Sequence, residues 1–139
     1  MDYSIFKIKT YDHWDLFLHS NQVPYIGRCY AAAIREDANF VTDMNNYESE
    51  ELFSKVIPAW DKVVQDLFGE SRPNVAILGN DWPHLHAHLI PRFKEPKIFY
   101  GIKFIDPNPT GNYSPYPKKD ISLEILMDIK EKIVEKLMP

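Results

Sequence analysis

His84, His86 and His88 occupy alternate positions in the stretch His84-Leu85-His86-Ala87-His88-Leu89-Ile90-Pro91-Arg92. In a strand, successive side chains point to opposite faces, so the three imidazoles would share one face while Leu85, Ala87 and Leu89 face a core. Three of the chain's five histidines stand in this row. Imidazoles pack poorly as a structural row and titrate near neutrality, so the pattern points to chemistry. Chance surface placement explains single histidines such as His13 and His19 better than it explains strict alternation. A metal site is a second reading: neighbouring same-face residues lie about 6.5 to 7 Å apart, close enough for two imidazoles to share a zinc ion. His84 and His88 would be roughly 13 Å apart, too far for all three to bind one ion at zinc–nitrogen distances of about 2.0 to 2.1 Å. A pair of histidines with a carboxylate such as Asp81 stays open. The third reading is a nucleophile flanked by hydrogen-bond donors, laid along an extended anion. A neutral imidazole, with a reference pKa of about 6.5, attacks phosphorus well at neutral pH, and its neighbours can meet charge on the phosphoryl oxygens. The linear geometry of the row fits this third reading best.

Such a row needs a sheet beneath it and a core beneath the sheet. A chain of 139 residues with 45% apolar content can bury one domain's core, spanning residues 1–139. The formal net charge is −4. Bulk charge therefore gives no reason to expect nucleic acid or an anionic membrane as partner, and phosphate recognition must come from placed groups. Cys29 is the only cysteine, so no intrachain disulfide forms. The sequence has no apolar run of about 20 residues and no basic-then-apolar leader at Met1-Asp2-Tyr3-Ser4, which makes a reducing cytoplasm the expected location.

Trp14 to His19 reads as a short strand and Asn21-Gln22-Val23-Pro24 as a turn. Arg28 to Arg35, apolar at its centre, reads as a buried strand after Gly27. Leu52, Val56, Trp60, Val63 or Val64, and Leu67 recur at helical spacing, with Asn45 or Asn46 as the cap, Gly69 at the C-terminus and Pro58 expected to kink or interrupt one turn. Phe53, Trp60 and Phe68 read as core. Pro73 to Leu78 is a further strand, closed by Gly79-Asn80-Asp81 and expected to pair with the histidine strand as an antiparallel hairpin. Six of eleven prolines fall between Pro91 and Pro117, an irregular excursion that Phe99, Tyr100, Phe104, Tyr113 and Tyr116 would let pack. Asp120 is the expected cap of a last helix with the apolar line Leu126, Ile129, Ile133 and Leu137. The fold class is α+β: an antiparallel sheet, one long helix packed on it, and a C-terminal helix.

The triad His84-Leu85-His86-Ala87-His88-Leu89-Ile90 resembles the His-x-His-x-His-x-x motif, with x apolar, of the histidine-triad (HIT) superfamily, and Pro91-Arg92 also fits. The order of elements agrees from Trp14 to the final helix. Leu18-His19-Ser20-Asn21-Gln22 to Gly27-Arg28, and Asn112-Tyr113-Ser114-Pro115-Tyr116, are similar to a bacterial or archaeal subgroup described as diadenosine-polyphosphate hydrolase-like. The resemblance implies a HIT-like fold and a nucleotide hydrolase or nucleotidyltransferase acting at the α-phosphate of a nucleotide conjugate, such as a dinucleoside polyphosphate or nucleoside phosphoramidate. It implies that His86 attacks phosphorus to give a nucleotidyl-histidine intermediate, which water or another acceptor resolves. His84 and His88 would bind phosphate oxygens, orient His86 and help protonate the leaving group. Asn21 matches, across a one-residue gap, an asparagine near the ribose, and Asn80 stands where many members carry a phosphate-contacting glutamine. The resemblance implies no protein-held cofactor or metal, with magnesium arriving only on a polyphosphate substrate. It also implies a homodimer built through the long helix and neighbouring strands.

Three positions depart from the pattern. Arg28 replaces a histidine after the glycine and reads equally as a phosphate contact or a strand end. Asp81 stands where several branches place a serine or threonine; a carboxylate there repels phosphate unless it orients a histidine or binds magnesium. Glu36 replaces a histidine after the strand. Glu36 bears on the surface rather than the chemistry, whereas Arg28 and Asp81 motivate a competing reading, a non-catalytic nucleotide-binding sensor or partner protein; a His-ligated metalloprotein is a third. Trp82, Tyr113 and Tyr116 fit a purine stack or a pocket mouth, although packing is their commoner role. Arg92 and Lys94 similarly suit phosphate steering, or simple solvated charge.

Overall fold

The computed structural model describes residues 2–138. Five antiparallel strands form one sheet in the order β1-β2-β3-β5-β4: β1 Lys7–Thr10, β2 Trp14–Leu18, β3 Cys29–Ala33, β5 His86–Arg92 and β4 Arg72–Ala76. The expected hairpin is present, with Ala76 opposite His88 and Arg72 opposite Arg92. The edge strand β1 was not legible, because Lys7-Ile8-Lys9-Thr10 is mostly exposed and offers no alternating apolar signal. A second hairpin, β6 Lys97–Phe99 and β7 Ile102–Phe104, lies inside the proline-rich excursion.

Period-two alternation divides the sheet. Trp14, Leu16 and Leu18 of β2, Cys29 and Ala31 of β3, and Ala87 and Leu89 of β5 are all buried in the core with Leu85. The opposite face carries Phe17, Tyr30, Ala32, His86 and His88. In register, Tyr30 faces His88 and Ala32 faces His86 across the β3–β5 ladder.

The long helix covers the core face. It runs as α1 Asn46–Glu51, a π-helical turn Leu52–Val56, and α2 Ile57–Phe68. Asn45 starts it with a reciprocal capping box: its side chain accepts from the Glu48 N–H while the Glu48 carboxylate accepts from the Asn45 N–H. Pro58 does interrupt the regular α-helix for one turn, and the interruption is π-helical. The π turn immediately before it widens the backbone where a proline ring would otherwise strike the carbonyl of the preceding turn. Leu52, Val56, Trp60 and Val64 are fully buried and Phe68 nearly so, whereas Phe53 is 52% exposed and not core. One residue past Leu52, Phe53 sits about 100° around the helix, off the buried stripe.

α3, Leu123–Leu137, packs against α2 and β1, burying Leu126, Ile129 and Ile133. Its cap is Ser122, whose hydroxyl accepts from the Ile125 N–H at 3.2 Å, rather than Asp120. No helix among the described residues is long and apolar enough to cross a membrane.

Arg92 neither steers phosphate nor meets solvent. It is 6% exposed and pairs with the buried Asp106 carboxylate at 2.7 and 3.1 Å, while also donating to the carbonyls of Asn108 and Gly111. This one guanidinium fastens the excursion to the end of β5. Asp106→Ala is expected to cost about 3 to 5 kcal/mol in urea unfolding, because it strands a buried cation. A loss below about 1 kcal/mol would show that the pair is not fully desolvated.

Candidate functional site

His84 does not join the strand. β5 begins at His86, and Pro83, which has a locked φ and no N–H to donate, ends the preceding turn. The last ladder bond runs from the Ala33 N–H to the Leu85 carbonyl at 3.0 Å. One residue earlier, the His84 carbonyl faces the side of β4, whose pairing ends at Ala76 opposite His88, and is free to accept from a side chain. The His86 ring takes it, with Nδ1 2.6 Å from that oxygen.

This bond fixes a proton. A carbonyl can only accept, so His86 Nδ1 must donate, and in the neutral ring Nε2 then carries the lone pair. His84 is fixed in the opposite sense: its Nε2 lies 2.6 Å from the Ala33 carbonyl and donates there, leaving Nδ1 as an acceptor. Trp82 lies against both rings, at 4.7 Å from His86 and 5.1 Å from His84 between ring centroids, while remaining 44% exposed. It is a wall of the site and not core.

The three histidines line one cleft of about 1240 Å³, ample for a nucleotide with a second group attached. Asn21, Asn80 and Asp81 line it too, and Glu36 reaches its rim. His19, expected to be an ordinary surface residue, is also in the cleft. Its ring lies 5.8 Å from that of His88, and its Nδ1 accepts from the Asn21 N–H at 3.0 Å. The available signal was the alternation itself: with Trp14, Leu16 and Leu18 in the core, Asp15, Phe17 and His19 must take the other face.

Arg28 is 3% exposed and does not line the cleft. Its guanidinium lies 5.5 Å from the Tyr113 ring centroid and 5.4 Å from that of Tyr116, and it donates to the Tyr116 hydroxyl at 2.5 Å. Tyr25 donates to the Tyr113 carbonyl at 2.7 Å. Tyr113 and Tyr116 are thus committed to holding the excursion over Arg28.

The loop that carries His19 and Asn21 is locked by Gln22, which is fully buried. Its amide nitrogen donates to the carbonyls of His19 and Arg28 at 2.7 and 2.8 Å, and its oxygen accepts from the Gly27 N–H at 2.7 Å. Gly27 adopts φ +95°, and a Cβ there would meet Val64 at 3.0 Å, so the loop seats directly on α2. The Trp60 indole N–H donates to the Gly27 carbonyl at 2.9 Å, closing the same contact.

Burial dominates the electrostatics. It lowers His88 to about 4 and His19 to about 3, with the nearby Arg28 cation pushing both the same way. Both rings are therefore neutral at pH 7. His88 Nδ1 and Arg28 Nε are buried without a hydrogen-bond partner among the described residues. No group of three His, Cys, Asp or Glu side chains among the described residues is disposed to hold a metal ion.

No protein-family model and no curated protein matches this chain. Solved structures do. A histidine triad protein from Marinobacter aquaeolei is 22% identical with a TM-score of 0.72, covering 95% of this chain and 90% of that one. One from Bradyrhizobium japonicum is 16% identical with the same TM-score of 0.72 and the same coverage of 95% and 90%. A diadenosine triphosphate hydrolase from Plasmodium falciparum, solved in complex with cyclomarin A, is 15% identical with a TM-score of 0.62, covering 97% of this chain and 77% of that one. The resemblance carried by the motif thus holds for the fold, which is that of the histidine triad proteins.

The depressed histidines set a stability profile. The unfolded chain takes up protons near pH 6.5 that the folded chain refuses until about pH 4 and 3, so stability falls as pH drops from about 6.5. Urea unfolding between pH 7 and 5, before carboxylates titrate, should show this decline. The double variant His19→Gln/His88→Asn should flatten it. An equally steep decline in that variant would place the titrating groups elsewhere.

Proposed function

We propose that this protein is a nucleotide hydrolase or nucleotidyltransferase that cleaves at the α-phosphate of a nucleotide conjugate through His86. The observation that carries the reading is the 2.6 Å contact from His86 Nδ1 to the His84 carbonyl, which directs the ring's lone pair onto Nε2. Nε2 attacks the α-phosphorus, and the bond from phosphorus to the leaving group breaks with its electron pair departing on that group. The imidazole becomes cationic as the P–N bond forms, and its Nδ1–H already points at a carbonyl oxygen that stabilises the developing charge. Water, or another acceptor, then attacks phosphorus; the P–N electrons return to Nε2 and the acceptor gives up a proton.

In this reading His88 donates to a phosphoryl oxygen as a neutral ring, and an anion bound there offsets the Arg28 charge that otherwise disfavours protonation. His84 orients His86 through its carbonyl. With Nε2–H committed to Ala33, its neutral ring presents an acceptor at Nδ1, suited to taking the proton of the attacking water or other acceptor. Asn21 sits to meet the ribose, and Asn80 and Asp81 to border the leaving group. Arg28 acts from behind as a fixed cation that adds to burial in keeping His19 and His88 neutral. No protein-held cofactor is invoked, and magnesium accompanying a polyphosphate would belong to the substrate. The exposed edge strand β4, with its unpaired backbone, suits a homodimer that extends the sheet.

The test is a panel of nucleotide conjugates incubated with the protein and followed by mass spectrometry for an adduct on His86. His86→Ala should lower turnover by at least about 10⁴-fold while retaining nucleotide binding, since loss of a nucleophile removes the covalent route. Normal turnover in that variant would sink the mechanism. Nucleotide binding with no detectable turnover by the parent protein would favour a sensor instead.

A further inference from the structure

We infer that His19 is a fourth histidine of the site, a neutral hydrogen-bond donor that presents Nε2–H to an oxygen of the bound α-phosphate beside His88. The inference rests on the proposed nucleotide reading and deepens it. The backbone N–H of Asn21 points at His19 Nδ1 from 3.0 Å, so that nitrogen accepts and the ring proton must reside on Nε2. No described residue accepts from Nε2, and the ring lines the cleft. A histidine kept for structure alone would commit its ring proton to the protein, as His84 commits its own to Ala33.

The ring is also aimed. Tyr30 meets it edge-on at 5.9 Å, and Tyr30 is itself held flat against Phe17 at 5.0 Å. Gln22 ties the His19 carbonyl down at 2.7 Å. Placing a donor without letting it swing is what electrostatic preorganisation requires. The buried Arg28 cation behind His19 and His88 disfavours imidazolium in both, so the pair offers two N–H donors without two positive charges in contact. The ring-to-ring distance of 5.8 Å leaves room for one phosphoryl oxygen to meet both.

Calorimetric titration with AMP and with adenosine separates the possibilities. For His19→Ala, AMP affinity should fall about tenfold, the size of one charge-assisted hydrogen bond, while adenosine affinity changes less than about twofold. His19→Gln restores an amide donor close to the Nε2 position and should recover AMP affinity to within about threefold of the parent. Should the alanine variant fail to fold, nitrogen-15 spectra of the parent decide: the His19 Nε2–H resonance must move on AMP addition and stay put with adenosine. Unchanged AMP affinity in His19→Ala, an equal loss for both ligands, or an unmoved resonance overturns the assignment while leaving the nucleotide reading intact. A parent protein that binds no AMP overturns both.

Discussion

The site turns on one contact, between the ring of His86 and the main chain two residues before it. A histidine in solution distributes its neutral form between two tautomers, and only the one with Nδ1–H exposes the lone pair at the distal nitrogen. A carbonyl acceptor at 2.6 Å removes the choice. That carbonyl is available because it faces the side of β4, whose last paired residue, Ala76, lies opposite His88. Had the strand continued through His84, the carbonyl would have been drawn toward the neighbouring strand. The end of strand pairing, with the Leu85 N–H turned to the Ala38 carbonyl, is therefore what leaves an acceptor for the His86 ring.

The rest of the fold works to keep that geometry dry and still. The core face of the sheet rests on the long helix, and Gly27 carries this support to the other side by seating the His19–Arg28 loop on Val64 and Trp60. Two buried arginines then close the end of the sheet. Arg28 gathers Tyr113 and Tyr116, and Arg92 gathers Asp106, Asn108 and Gly111. Neither cation reaches the cleft; burial keeps His19 and His88 neutral, and the Arg28 charge adds to it. The protein thus separates positive charge from the histidine row that lines the cleft. Neutral imidazoles line the cleft, and the cation stands behind them.

Much of this was legible from local pattern. The two-residue period gave β5, its pairing with β4 and the buried Leu85, Ala87 and Leu89, and the helical stripe found Leu52, Val56 and Trp60. What escaped depended on partners distant in sequence or on backbone detail. Arg28 and Tyr116 are 88 positions apart, and Arg92 and Asp106 are 14 apart, so both arginines read as phosphate contacts or surface charges rather than as buried anchors until the chain is folded. Pro58 signalled a kink or an interrupted turn, but not that the turn would be π-helical. Ser122, not Asp120, capped the last helix, a shift of two residues typical of helix ends. His19 was hidden because its significance lies in what the strands bring beside it, although the same alternation that exposed the triad also places it on the cleft face.

The tautomer of His86 can be read directly. Long-range nitrogen-15 correlation spectra of the ligand-free protein near pH 7 distinguish the protonated from the lone-pair nitrogen in each imidazole. His86 should carry its proton on Nδ1, against the preference of a free imidazole. A His86 protonated at Nε2 in the parent protein would contradict the central claim, because the nitrogen assigned to attack phosphorus would have no lone pair to give.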